Sequence, residues 1–175
     1  MKRINNLYLT FVFLALAVIA SFFTEIKLIL TLLLLILLIA LYINYKKRVS
    51  QELIIAFLLS LIITSYHLYE YNNFNIFIGR INLFPLVSWT FGLVILREIY
   101  EKFTMKGKLL VASSLYLLIL FLVEYTGYHI LNIQLKTNFP SLIGLGIIHA
   151  PLYMKIFYIL TGPIFLAITD YLKVK

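Results

Sequence analysis

The chain contains no cysteine, which excludes disulfide frameworks, thiolate metal sites, thiol nucleophiles, thiol-attached haem and palmitoyl anchors. Charge is scarce as well. Of its 175 residues 13% are charged and 63% hydrophobic, with a mean hydropathy of +1.01. A soluble domain averages about 25% charged and about 45–50% apolar residues, so this balance excludes both a water-soluble globule and a disordered chain. Glycine and proline number only seven and four. The sequence holds no Gly-rich phosphate loop, no G-x-S-x-G nucleophile elbow, no paired Asp-rich magnesium motif and no H-E-x-x-H. No apolar run carries the repeated arginines of a voltage sensor.

What the sequence does contain is long apolar runs. A helix crosses a hydrocarbon core of about 30 Å with roughly 20 apolar residues, because it satisfies its own backbone hydrogen bonds where water is absent. Six runs qualify, over about 7–23, 28–45, 53–69, 83–99, 109–131 and 152–172. The expected fold is therefore an all-α integral membrane protein, a single polytopic domain over 1–175. The first run begins with Lys2 and Arg3 but is long for a signal-peptide core and has no polar cleavage region after it, so it is expected to remain as a span. The last three runs carry Pro85, Trp89, Gly92, Gly127, Gly162 and Pro163. Such residues suit helices packed on neighbours, which points to the second half as the functional half.

The net charge of +8 does not imply a nucleic-acid partner, because the basic residues lie in short runs between apolar segments. Lys2, Arg3, Lys46, Lys47, Arg48, Arg97, Lys102, Lys106, Lys108, Lys173 and Lys175 fall on one side of a six-span topology. Lys27, Arg80, Lys136 and Lys155 fall on the other. The positive-inside rule then places both termini in the cytoplasm and the chain in the cell membrane. Two outer connections are long: 71–82, rich in Asn and aromatics, and 132–151, between the fifth and sixth spans. Within the latter, Ser141 to Ala150 is an apolar run bounded by Pro140 and Pro151 and too short to span. It is expected to fold back over the outer mouth, as a re-entrant segment, an interfacial helix or a packed loop.

Ionisable groups in apolar spans carry most of the functional information, because each costs roughly 3 kcal/mol near the bilayer centre unless partnered. Glu124 lies about two turns before the outer end of the fifth run. His67 comes at a similar depth on the third, so the two are expected to meet and form a proton-transferring pair. Glu70, Tyr128, His129, His149 and Trp89 are the remaining pocket candidates, although interfacial His, Glu and Tyr also fit a plain aromatic belt. His129, at i+5 from Glu124, should point away from it and toward Tyr125. Trp89, near mid-membrane, should line a cavity or donate to a carbonyl freed by a proline. Arg97 with Glu98 and Glu101, and Asp170 with Lys173, read as anchors near the headgroups. The ligand spacing supports no metal site, and no cofactor is implied.

Two classes of function fit these residues. One is a non-catalytic membrane component, a small permease component or complex subunit with an outward polar pocket and a membrane-protein partner; this class is slightly favoured. The other is a membrane-embedded enzyme acting on a lipid or isoprenoid by Glu/His acid–base chemistry, with Glu124 and His67 as its catalytic residues.

Overall fold

In the computed structural model, the structure describes residues 26–44, 46–66, 69–72 and 75–172. The described chain is mostly helical: α1 (Ile26–Asn44), α2 (Lys46–Tyr66), α3 (Leu83–Tyr100), α4 (Lys108–Tyr125) and α5 (Leu152–Tyr171), with a π-helical turn at Thr126–Ile130 continuing α4. Three helical stretches, Leu83–Tyr100, Lys108–Ile130 and Leu152–Tyr171, are long and apolar enough to cross a membrane. The apolar stretches of α1 and α2, Lys27–Ile43 and Gln51–Tyr66, are shorter. The run expected over 7–23 lies outside the described residues.

Three local departures from the expected all-α outline are visible. Lys46, Lys47 and Arg48 are not a free loop but open α2. The 71–82 connection contains a small hairpin, β1 (Phe77–Ile78) paired antiparallel with β2 (Ile81–Asn82). Gly79 makes its two-residue turn possible with φ 62°, a conformation that suits glycine. The fifth run does not stay α-helical to 131 but passes into the π turn, where Leu131 N–H donates to Thr126 C=O at 2.9 Å.

Helix α3 is central, packing against α1, α2, α4 and α5. Its start is well specified. Asn82, almost fully buried, caps it by accepting from Phe84 N–H, and Pro85 sits in the first turn, where its missing N–H would have had no helical partner. Phe91, Leu93, Val94, Leu96 and Tyr100 fill the core from this helix, and Phe165 and Leu166 from α5. Hydroxyl groups inside the helices are satisfied within their own turns: Thr31, Ser60, Thr64, Ser88, Thr90, Thr161 and Thr169 each donate to the carbonyl four residues earlier. This removes the penalty of carrying them through an apolar medium.

Helix α4 differs from α3 in facing outward. Leu110, Leu118, Leu122 and Val123 are all more than half exposed, a continuous apolar stripe with no stable place in water. It is compatible with membrane insertion. Its inner face meets α5 at one close crossing, where a Cβ on Gly162 would lie 2.6 Å from the Tyr116 ring. The Tyr116 hydroxyl donates to the Tyr158 carbonyl there, next to the break that Pro163 makes in the α5 backbone ladder.

Candidate functional site

The candidate residues gather at the end of the bundle where α2 and α4 finish and α3 and α5 begin. Glu124, in the last turn of α4, is half-buried. It lies within electrostatic reach of Tyr69, Tyr71, Tyr116 and Tyr158. The Tyr69 hydroxyl faces the Tyr158 hydroxyl and the Trp89 indole, and the Trp89 and Tyr158 rings lie 4.9 Å apart. Trp89 thus joins an aromatic cluster. Four elements bring these groups together: the 69–71 segment, α3, α4 and α5. No hydrogen bond or ion pair joins the Glu124 carboxyl to another described residue. Its expected partner His67 lies outside the described residues.

Two connections close this end. Tyr71 bridges Leu135, Asn72 N–H donates to Gln134 C=O at 3.0 Å, and Lys136 N–H donates to Glu70 C=O at 2.8 Å. The Lys136 ammonium adds a 2.8 Å ion pair to the Glu70 carboxylate. Glu70 thus clasps the two connections together at the surface. Asn82 and Asn75 complete the zipper: Asn82 Nδ2 donates to Tyr69 C=O at 2.7 Å and to Asn75 Oδ1 at 2.9 Å.

The 141–150 run is a packed loop, with one 3₁₀ turn at Leu142–Gly144. Ile147, Ile148 and Ala150 are buried and Leu142 packs on the core, so the segment does fold back onto the bundle. Lys155 holds it from α5 by donating to Ser141 C=O at 3.0 Å. His129 Nε2 sits 2.7 Å from Gly146 C=O; a carbonyl only accepts, so this nitrogen carries the proton. As its i+5 position implied, the His129 ring turns toward Tyr125, 4.7 Å between centroids. His149 makes no hydrogen bond to Glu70 or Glu124. It stacks flat on Tyr128 of the π turn, centroids 3.8 Å apart at 14°.

The opposite end of the bundle holds a cluster built on Arg97, Glu101 and Asp170, residues expected as headgroup anchors. Arg97 is only 4% exposed. Its guanidinium reaches Asp170 of α5 at 2.8 Å, Glu101 of its own helix at 3.6 Å and the fully buried Glu52 of α2 at 3.7 Å. Tyr100 donates its hydroxyl to the other oxygen of Asp170, and Lys108 of α4 lies 4.1 Å over the Tyr100 ring. The i,i+4 pair of Arg97 with Glu101 was legible. The cross-helix contacts, 45 and 73 positions apart in sequence, carried no local signal. Lys27 likewise proves almost fully buried, 5.0 Å over the Tyr71 ring. Among the described residues no group of three or more His, Asp or Glu is arranged to hold a metal ion. Compared with protein-family models, with curated proteins and with solved structures, the chain matches none.

Proposed function

We propose that this chain is a multi-pass cell-membrane protein that binds a lipid or isoprenoid at the Glu124–tyrosine cluster and moves a proton to or from it through Glu124. The reading takes six spans, both termini in the cytoplasm, and the Glu124 end of the bundle facing outward, as the distribution of Lys and Arg favours. The observation that carries it is a carboxyl half-buried among four tyrosines, on an apolar helix, with no hydrogen bond or ion pair to a described residue. A submerged acid of this kind costs several kcal/mol without a compensating partner or task. Proton transfer is the task its surroundings allow: the phenol groups donate and accept, and aromatic walls accommodate an apolar chain. His67, two residues before Tyr69, is assigned here as the base or relay that exchanges the proton with Glu124.

The experiment is untargeted lipid identification on the purified protein and on Glu124→Gln, which keeps the shape and removes the acid. A chemically uniform lipid or isoprenoid held by both, unaltered in the variant and proton-shifted or isomerised in the native protein, is the expected result. No retained lipid in either would overturn the reading. Reporter fusions after Arg48 and at Lys175 test the topology, where an external signal at either position would reverse it. One observation favours the non-catalytic class instead: His129 and His149 are both engaged in packing the loop, so neither stands free beside Glu124. A membrane-protein partner co-purifying in place of a lipid would establish that class.

A further inference from the structure

The 132–151 connection is held shut under backbone strain. Ile148 is β-branched, fully buried and at φ 50°, and Asn132, at the other end, is at φ 51°. Left-handed backbone at a helix end is a conformation asparagine tolerates, but for the β-branched isoleucine it is a true outlier. Such a conformation persists only where its surroundings over-determine it, and it gathers at switch segments. The surroundings here are the burial of Ile147 and Ile148, the Lys155 to Ser141 bond, the His129 to Gly146 bond and the His149 stack on Tyr128. Tyr128 and His129 both ride on the π turn, an irregularity that recurs at functional sites.

We propose that this segment is a proton-operated latch, shut while His149 is neutral and stacked on Tyr128, and released when His149 takes up a proton. The proposal stands apart from the acid–base reading of Glu124. Next to the strained residue, His149 Nδ1 is enclosed and finds no hydrogen-bond partner. The charged and titratable groups facing the ring are Tyr128 and His129 from the π turn and Lys155 from α5. None is a carboxylate, and the Glu70 carboxylate is engaged with Lys136. An imidazolium here would carry an N–H at the enclosed Nδ1 with no acceptor and meet two basic side chains. The attraction of a cation for the Tyr128 face opposes this but supplies no acceptor.

Burial, then His129 and then Lys155 hold the His149 imidazole below its ordinary value of 6.5. A histidine depressed in the shut form favours that form above about pH 6.5. The preference is lost as pH falls through the lower value, because the lifted segment binds the proton more readily. Acid therefore releases the latch.

The absence of native cysteine allows a clean test in the full-length protein in lipid nanodiscs. I147C places one thiol in the buried segment and N138C one in its exposed part, and both are labelled with a neutral thiosulfonate reagent. The labelling ratio of the first to the second cancels the pH dependence of the thiol itself. The ratio is expected to rise severalfold from about pH 8 to about pH 5, and to stay flat over that range when H149F is added to both variants, since Phe keeps the stack and cannot titrate. A flat ratio without H149F, or an unchanged rise with it, overturns the latch. Should a substitution prevent folding, hydrogen exchange on the unmodified protein decides. The Leu142 amide, bound to the Ile147 carbonyl at 2.8 Å, and its neighbours must lose protection on acidification relative to α3 amides; equal protection refutes the proposal.

Discussion

Replacing Arg97 with Met should be among the most damaging single changes in the bundle, and the structure shows why. Met retains the apolar stem of the side chain out to about the position of Nε, so packing of the stem is kept while the guanidinium goes, with its charge and five N–H donors. What remains is Glu52, with no exposed surface, and Glu101, about one-fifth exposed, each losing a guanidinium within 4 Å. Breaking a buried ion pair from one side typically costs about 3–5 kcal/mol, because the surviving charge stays buried without compensation. Asp170 contributes less to this figure, since its side chain is 39% exposed and water screens it. Asp170→Asn, which keeps one acceptor oxygen for Arg97 and turns an amide N–H toward the Tyr100 hydroxyl, which can accept in its turn, should therefore cost only about 1 kcal/mol. At about 2–4 °C per kcal/mol for a chain of this size, R97M should lower the unfolding midpoint in detergent by about 6–20 °C and D170N by less than about 4 °C. Adding E52Q to R97M should recover part of the loss, because one buried negative charge is then gone. Equal midpoints for R97M and D170N, or no recovery in the double variant, would refute the view that one buried guanidinium ties α2, α3 and α5 together.

Gly162→Ala should destabilise by about 1–3 kcal/mol, since its Cβ would fall 2.6 Å from the Tyr116 ring; adding Tyr116→Leu should relieve most of it in the same thermal assay. Asn82→Ala should cost about 2–3 kcal/mol by removing the α3 cap and leaving the Tyr69 carbonyl without its 2.7 Å donor, and circular dichroism should show the loss as an earlier melt. Lys136→Met should cost less than about 1 kcal/mol, because both partners of its ion pair with Glu70 are exposed; a larger drop in midpoint would show that the clasp is dehydrated.

Length, hydrophobicity and one-dimensional charge order determined the helical elements. The ends of α3 and α5 fall within one residue of the expected runs, because a 20-residue apolar stretch bounded by Asn82, Pro151 and basic residues leaves the backbone few alternatives. The fold-back of 141–150 was also legible, since five large apolar side chains within eight residues cannot remain in water. The orientation of His129 toward Tyr125 followed from helical spacing alone. Tertiary structure decided the rest. Whether Arg97 ends a helix at the surface or sits at the centre of a buried cluster depends on where α2 and α5 cross α3, and crossing positions are set by side-chain shape, such as the notch that Gly162 offers Tyr116. Whether His149 meets a carboxylate or a ring depends on how the packed loop sets it beside the π turn that carries Tyr128, and no periodicity announces such a turn. Local sequence specifies which groups must escape water; only the packed bundle specifies which of them escape it together.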